Sequence, residues 1–143
     1  MRKLLAAFFM CLAASSNAIA TDICEDATEQ FSEATKIYIA KGAGAFWERV
    51  LKNGPLEGDK RSLSQVQGLS QIEGFFGQIQ SSSVISKKQL GTRVCYLVAV
   101  LEYANGPAFA VATYYRGKKG VGATSMFFKT EPETVLPNKL LVE

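Results

Sequence analysis

The spacing of the apolar residues changes once along this chain, from a helical period to a strand period at about Ser82, and no other feature constrains the fold as tightly. Asp22 with Glu25 three residues on has the pattern of a reciprocal N-cap, and Asp26 adds negative charge where the dipole of a starting helix favours it. Ala27, Phe31, Ala34 and Tyr38 then recur at four, three and four, which keeps one helix face on a core. Gly42-Ala43-Gly44 interrupts that helix. Ala43, Phe46, Trp47, Val50 and Leu51 form a second stripe, stopped by Asn53-Gly54-Pro55 in the order of a C-cap. After a charged loop over 54–62, Val66, Leu69, Ile72, Phe76 and Ile79 give a third helix. Gly68, Gly74 and Gly77 weaken it, each by about 1 kcal/mol relative to alanine.

Strand formers dominate the second half. Val84 to Lys88 reads as a first strand turning near Gly91, and Arg93 to Tyr103 as a second, followed by the hairpin signal Asn105-Gly106. Phe109 to Arg116 returns, Gly117-Lys118-Lys119-Gly120 turns again, and Val121 to Lys129 runs on until Pro132 and Pro137 close the regular structure. Helices first and an antiparallel meander of about four strands second is an α+β arrangement.

Arg2-Lys3, an apolar run from Leu4 to Ala14 and the small residues of Ala18-Ile19-Ala20 have the layout of a cleavable bacterial export signal. The run is about half the twenty or so apolar residues that a spanning helix needs. Cleavage is expected after Ala20. That leaves a single domain over 21–143 in the periplasm or outside the cell, with no lipid on Cys11 and no stable membrane anchor. Without Arg2 and Lys3 the 16 basic residues become 14 against 13 acidic, a net charge of +1 with no basic cluster, so nucleic acid is not an expected partner. Cys24 and Cys95 are then the remaining cysteines. An even pair in an oxidising compartment is expected to form a disulfide, with two separate buried thiols as the alternative.

Gly74-Phe75-Phe76-Gly77-Gln78-Ile79 after the helices, Gly91-Thr92-Arg93 leading a strand and Asn105-Gly106-Pro107-Ala108-Phe109 at a hairpin form one set of landmarks. With Tyr114-Tyr115 and a closing Phe127-Phe128-Lys129 followed by Pro132 and Leu136-Pro137, they resemble the exported branch of the nuclear-transport-factor-2-like superfamily. The likeness spans most of 21–143 and rests on packing and turn signals, with no catalytic signature among them. It implies a cone-shaped α+β fold, in which a curved sheet wraps the helices and leaves an apolar pocket. The superfamily includes ketosteroid isomerase, polyketide cyclases, scytalone dehydratase and many binding or assembly domains, so the fold alone selects no activity.

The chain has no histidine, which removes Ser-His-Asp and Cys-His centres and any histidine-ligated zinc or iron. Two cysteines without a CxxC spacing cannot make a four-thiolate metal site or a redox centre. No metal, no cofactor and no catalytic residue is expected. The alternative is carboxylate and phenol chemistry, as in a cofactor-free lyase or isomerase acting on a small hydrophobic substrate. Glu102 and Glu73 are its acids, and Tyr96, Tyr103, Tyr114 and Tyr115 its phenols, although an acid at a hairpin end or on an exposed helix face is the ordinary case. Lys41-Gly42-Ala43-Gly44 follows a helix and so lacks the context of a phosphate loop, and Gly117 to Gly120 fits a plain turn.

Aromatic pairs are more informative. Tyr114-Tyr115 and Phe127-Phe128 must point to opposite sides of their strands, so both sheet faces are partly apolar. Ala108, Ala110, Ala112 and Tyr114 share one face, where small residues let helices approach; Phe109, Val111, Thr113 and Tyr115 share the other. Phe75, Phe76, Tyr96, Phe109, Val111 and Tyr115 are the candidates for an apolar pocket or interface. Such a surface takes an apolar small molecule, a protein partner or, in a homodimer, a second copy of the chain. The expected role is non-catalytic binding or assembly.

Overall fold

A computed structural model describes residues 22–60, 63–134, 136 and 138; the expected export signal over 1–20 and the Lys139 to Glu143 end lie outside them. Asp22 caps the first helix, its carboxylate accepting the Cys24 N–H at 2.8 Å. α1 (Ile23–Lys41) buries Ala27, Phe31, Ala34 and Tyr38 and ends at Gly42, whose left-handed φ of +87° turns the chain directly into α2 (Ala43–Leu51). Gln30, buried on α1, donates its amide to the carbonyls of Arg49, Val50 and Lys52 at 3.1 to 3.3 Å, and so satisfies the C-terminal end of α2 from outside. The expected glycine cap is displaced by one residue: the left-handed position is Asn53, at φ +67°.

α3 (Leu63–Phe76) is unbroken despite its glycines, but it stops three residues before the expected end of its stripe. Gly77 takes φ +80°, and the Asn105 and Ala104 N–H groups donate to the Phe76 and Gln78 carbonyls at 2.8 and 3.0 Å. A hairpin distant in sequence therefore terminates the helix, and Ile79 belongs to the sheet.

The strands are β1 (Ile79–Leu90), β2 (Val94–Tyr103), β3 (Gly106–Gly117) and β4 (Gly120–Lys129), antiparallel and neighbouring in chain order in an open sheet. β1 starts well before the expected Val84. It is a largely exposed edge strand whose Ser81-Ser82-Ser83 run carries no apolar alternation to mark it.

All three helices lie on one face of the sheet. Cys95, Leu97, Ala99, Leu101 and Tyr103 of β2 and Ala108, Ala110, Ala112 and Tyr114 of β3 point into the core, where they join Phe31, Tyr38, Phe46 and Val50. The T-shaped contact of Phe31 with Phe46 (centroids 6.1 Å apart) and the tilted contact of Tyr38 with Phe46 (5.2 Å) bind α1 to α2. The Cys24–Cys95 disulfide joins the first turn of α1 to β2 across a Cα separation of 5.2 Å. Two ion pairs reinforce the same end of α1: Asp26 with Arg116 at 2.5 Å, and Glu25 with Lys87. Glu25 thus serves the sheet, and the reciprocal cap expected of it does not form.

A second close approach sits at the loop after α2. A Cβ built on Gly122 would lie 2.3 Å from the Gly54 nitrogen, and one built on Gly54 would lie 2.5 Å from the Ala123 carbonyl oxygen. Backbone touches backbone there, and only glycine permits it on both sides.

Candidate functional site

The strand period sends alternate residues of β2, β3 and β4 away from the helices, and the register aligns them into one surface. Val98 pairs with Val111, which pairs with Phe127; Val100 pairs with Phe109, and Tyr96 with Thr113. Val98 at the centre of this face is fully buried, while Phe127 is 61% and Tyr115 39% exposed. Across the β1–β2 pairing the same face is polar, with Ser83, Ser86 and Lys88 opposite Val100, Val98 and Tyr96. At its end Arg93 lies over the Tyr115 ring, 5.1 Å from the centroid, a cation–π contact that covers part of that aromatic.

Four of the six candidates, Tyr96, Phe109, Val111 and Tyr115, therefore share the outer face of the sheet. The other two do not join them. Phe76 packs against the core at the β2–β3 hairpin, so close to Gly106 that a Cβ there would lie 2.5 Å from its ring. Phe75 beside it is 85% exposed. Phe127 is the strongest residue of the outer face and was recoverable from the rule that adjacent strand residues point oppositely, since Phe128 turns inward to Trp47 at 5.8 Å.

Beneath the α3 end of the sheet lies a second, polar cluster. The Tyr38 hydroxyl is 3.3 Å from that of Tyr103 and donates to the Leu69 carbonyl at 3.4 Å. Burial pushes the Tyr103 phenol up to about 12, with the Glu73 carboxylate adding to the rise and the Tyr38 hydrogen bond opposing it. Tyr38 is raised further, by burial first and then by Tyr103 and Glu73. Both phenols stay protonated at any physiological pH. Tyr38 and Glu73 border, with Gln78 and Gln80, a cavity of about 390 Å³. Glu102 has no such setting: it is exposed at the hairpin and hydrogen-bonded to Ser81. The phenol pair went unread in the sequence, because Tyr38 presents itself only as one more member of a helix stripe.

Among the described residues, no three Cys, Asp or Glu side chains converge to hold a metal ion, and no helix is long and apolar enough to cross a membrane. No protein-family model, curated protein or solved structure matches the chain.

Proposed function

We propose that the chain is an exported domain, cleaved after Ala20, that works by binding and not by catalysis, with the outer sheet face as its contact surface. Phe127 carries this reading: a phenylalanine 61% exposed, paired with Val111 and on the same face as Phe109, is ill suited to water. The buried disulfide and the order of helices before an antiparallel sheet are compatible with export and with the nuclear-transport-factor-2-like resemblance. The partner most readily tested is a second copy, because two such faces bury one another symmetrically. Native mass spectrometry of the protein recovered from the periplasm tests both parts at once. The expected species starts at Thr21 and has twice the mature mass, and Val111→Lys returns it to a monomer. A monomeric wild type, or a chain retaining its first twenty residues, rejects the corresponding half.

The Glu73, Tyr38 and Tyr103 cluster favours one alternative, a cofactor-free lyase or isomerase acting on a small hydrophobic substrate. In it Glu73 moves a proton, and the phenols donate to the oxygen on which charge develops. Deuterium exchange at the α-carbon of a cyclic enone decides between them. Exchange above the buffer rate that Glu73→Gln abolishes supports catalysis, and exchange at the buffer rate removes it.

A further inference from the structure

Lys87, Lys88, Arg93, Arg116, Lys118 and Lys119 stand at the end of the sheet where the β1–β2 and β3–β4 turns lie side by side. The helix side of this end is neutralised and the outer side is not. Lys87 and Arg116 reach the helix side and pair with Glu25 and Asp26 of α1. Lys88 and Arg93 lie on the outer side, and Lys118 and Lys119 line a recess of about 660 Å³ that Tyr115 borders from the outer face. Among the described residues none of these last four forms an ion pair. Glu57 is the acid that lines the same recess, and it accepts the Asn53 N–H at 3.2 Å.

Arg93 is the most firmly held of these cations. Its Nε–H donates to the Arg116 carbonyl at 2.9 Å, and its guanidinium lies over the Tyr115 ring. The two contacts fix the plane of the group without neutralising it. Its terminal nitrogens, which bond to no described residue, keep the paired donors that fit a carboxylate or a phosphate. From there the outer face runs apolar along β3 from Tyr115 through Val111, with Phe127 beside it, to Phe109, a span of about 20 Å at about 3.4 Å per residue. The far end of the face carries Glu102 and Lys129, which offset one another. We infer that the outer face binds an anionic single-chain amphiphile, with its oxyanion head on the Arg93 guanidinium and its chain along Val111, Phe127 and Phe109. The surplus charge sits at one end and does not ring the face, which suits a molecule laid lengthwise better than a flat bilayer surface. This ligand rests on the reading of that face as a contact surface and names what the surface takes up.

The test is a titration of the ¹⁵N-labelled mature protein with dodecanoate below its micelle concentration. The backbone amides of Arg93, Val111 and Phe127 should shift to saturation. Dodecyltrimethylammonium, of the same chain length and opposite charge, should bind at least about tenfold more weakly. Arg93→Gln should weaken dodecanoate binding by about fivefold or more, and Phe127→Ser by a similar factor. Lys41→Gln, which removes the same charge from the exposed end of α1, should leave it unchanged. Equal affinity for the two amphiphiles, or an Arg93→Gln variant that binds as the wild type does, overturns the assigned head-group site. A dimer that dodecanoate neither binds nor dissociates overturns the ligand and leaves the face as a contact surface, whereas a monomer indifferent to dodecanoate removes both. Protein that sediments with phosphatidylglycerol vesicles yet shows no response to dodecanoate would assign the face to a membrane surface, and that too overturns the single-chain ligand.

Discussion

The two faces of β3 differ in chemistry although they are separated by the thickness of one backbone. Inward, Ala108, Ala110 and Ala112 are fully buried and bring α1 close to the sheet; outward, Phe109, Val111 and Thr113 stay partly exposed and Tyr115 more so. From Ala108 to Thr113 size runs opposite to burial, the small residues being the covered ones, while Tyr114 farther along the inner face is large and fully buried as well. At the three alanines a larger side chain would push the helices away, whereas large ones on the outer face cost that packing nothing. The contrast teaches that a closely approached face is recognised by what is missing from it, and a contact face by what is left over.

That comparison breaks most sharply at two adjacent positions. Ala110→Asp places an unpaired carboxylate in the core, and a loss of about 4 kcal/mol or more is expected, enough to unfold a domain of ordinary stability. Urea denaturation followed by circular dichroism measures it, and a loss under about 1 kcal/mol would show that water reaches the inner face. An intermediate effect belongs to the disulfide, which fastens the inner face to α1. Cys24→Ala with Cys95→Ala should lower stability by about 2–5 kcal/mol, and an unchanged urea midpoint would mean that the two ion pairs at the same helix end suffice without it. The smallest effect is expected next door to the largest. Val111→Lys should shift the stability of the monomer by no more than about 0.5 kcal/mol, and a larger loss would mean that this side is covered within one chain.

Helix positions were legible in the sequence because three-and-four stripes report burial directly, and Gly42 announced its break through a backbone that only glycine adopts easily. The β2, β3 and β4 strands followed from alternation and from Asn105-Gly106. What escaped was set by distant partners. The end of α3 depends on N–H groups from Ala104 and Asn105, and nothing in residues 66–79 can report them. Ile79 fits the helix stripe equally well as the first strand residue, and the serines after it lie on an edge where burial demands no pattern. Of the candidate residues, Tyr96, Phe109, Val111 and Tyr115 lie on one sheet face because they obey one period across two strands. Phe75 and Phe76 were joined to them by composition alone, and composition carries no direction.

The glycine contact after α2 has a consequence for how β4 finds its place. A slip of one residue would turn Phe127 inward and Met126 outward, which the core already resists. A slip of two keeps every side chain on its proper face and would escape that penalty. In one direction it would set Thr124 where Gly122 now lies against Gly54, driving a branched side chain into main chain that has no room to yield. In the other, Gly120 would fit the gap, but the turn that it makes with Gly117 would be lost. The Gly54–Gly122 contact therefore works as a keyed joint: it accepts the strand at one setting, including against the misalignment that hydrophobic patterning cannot detect.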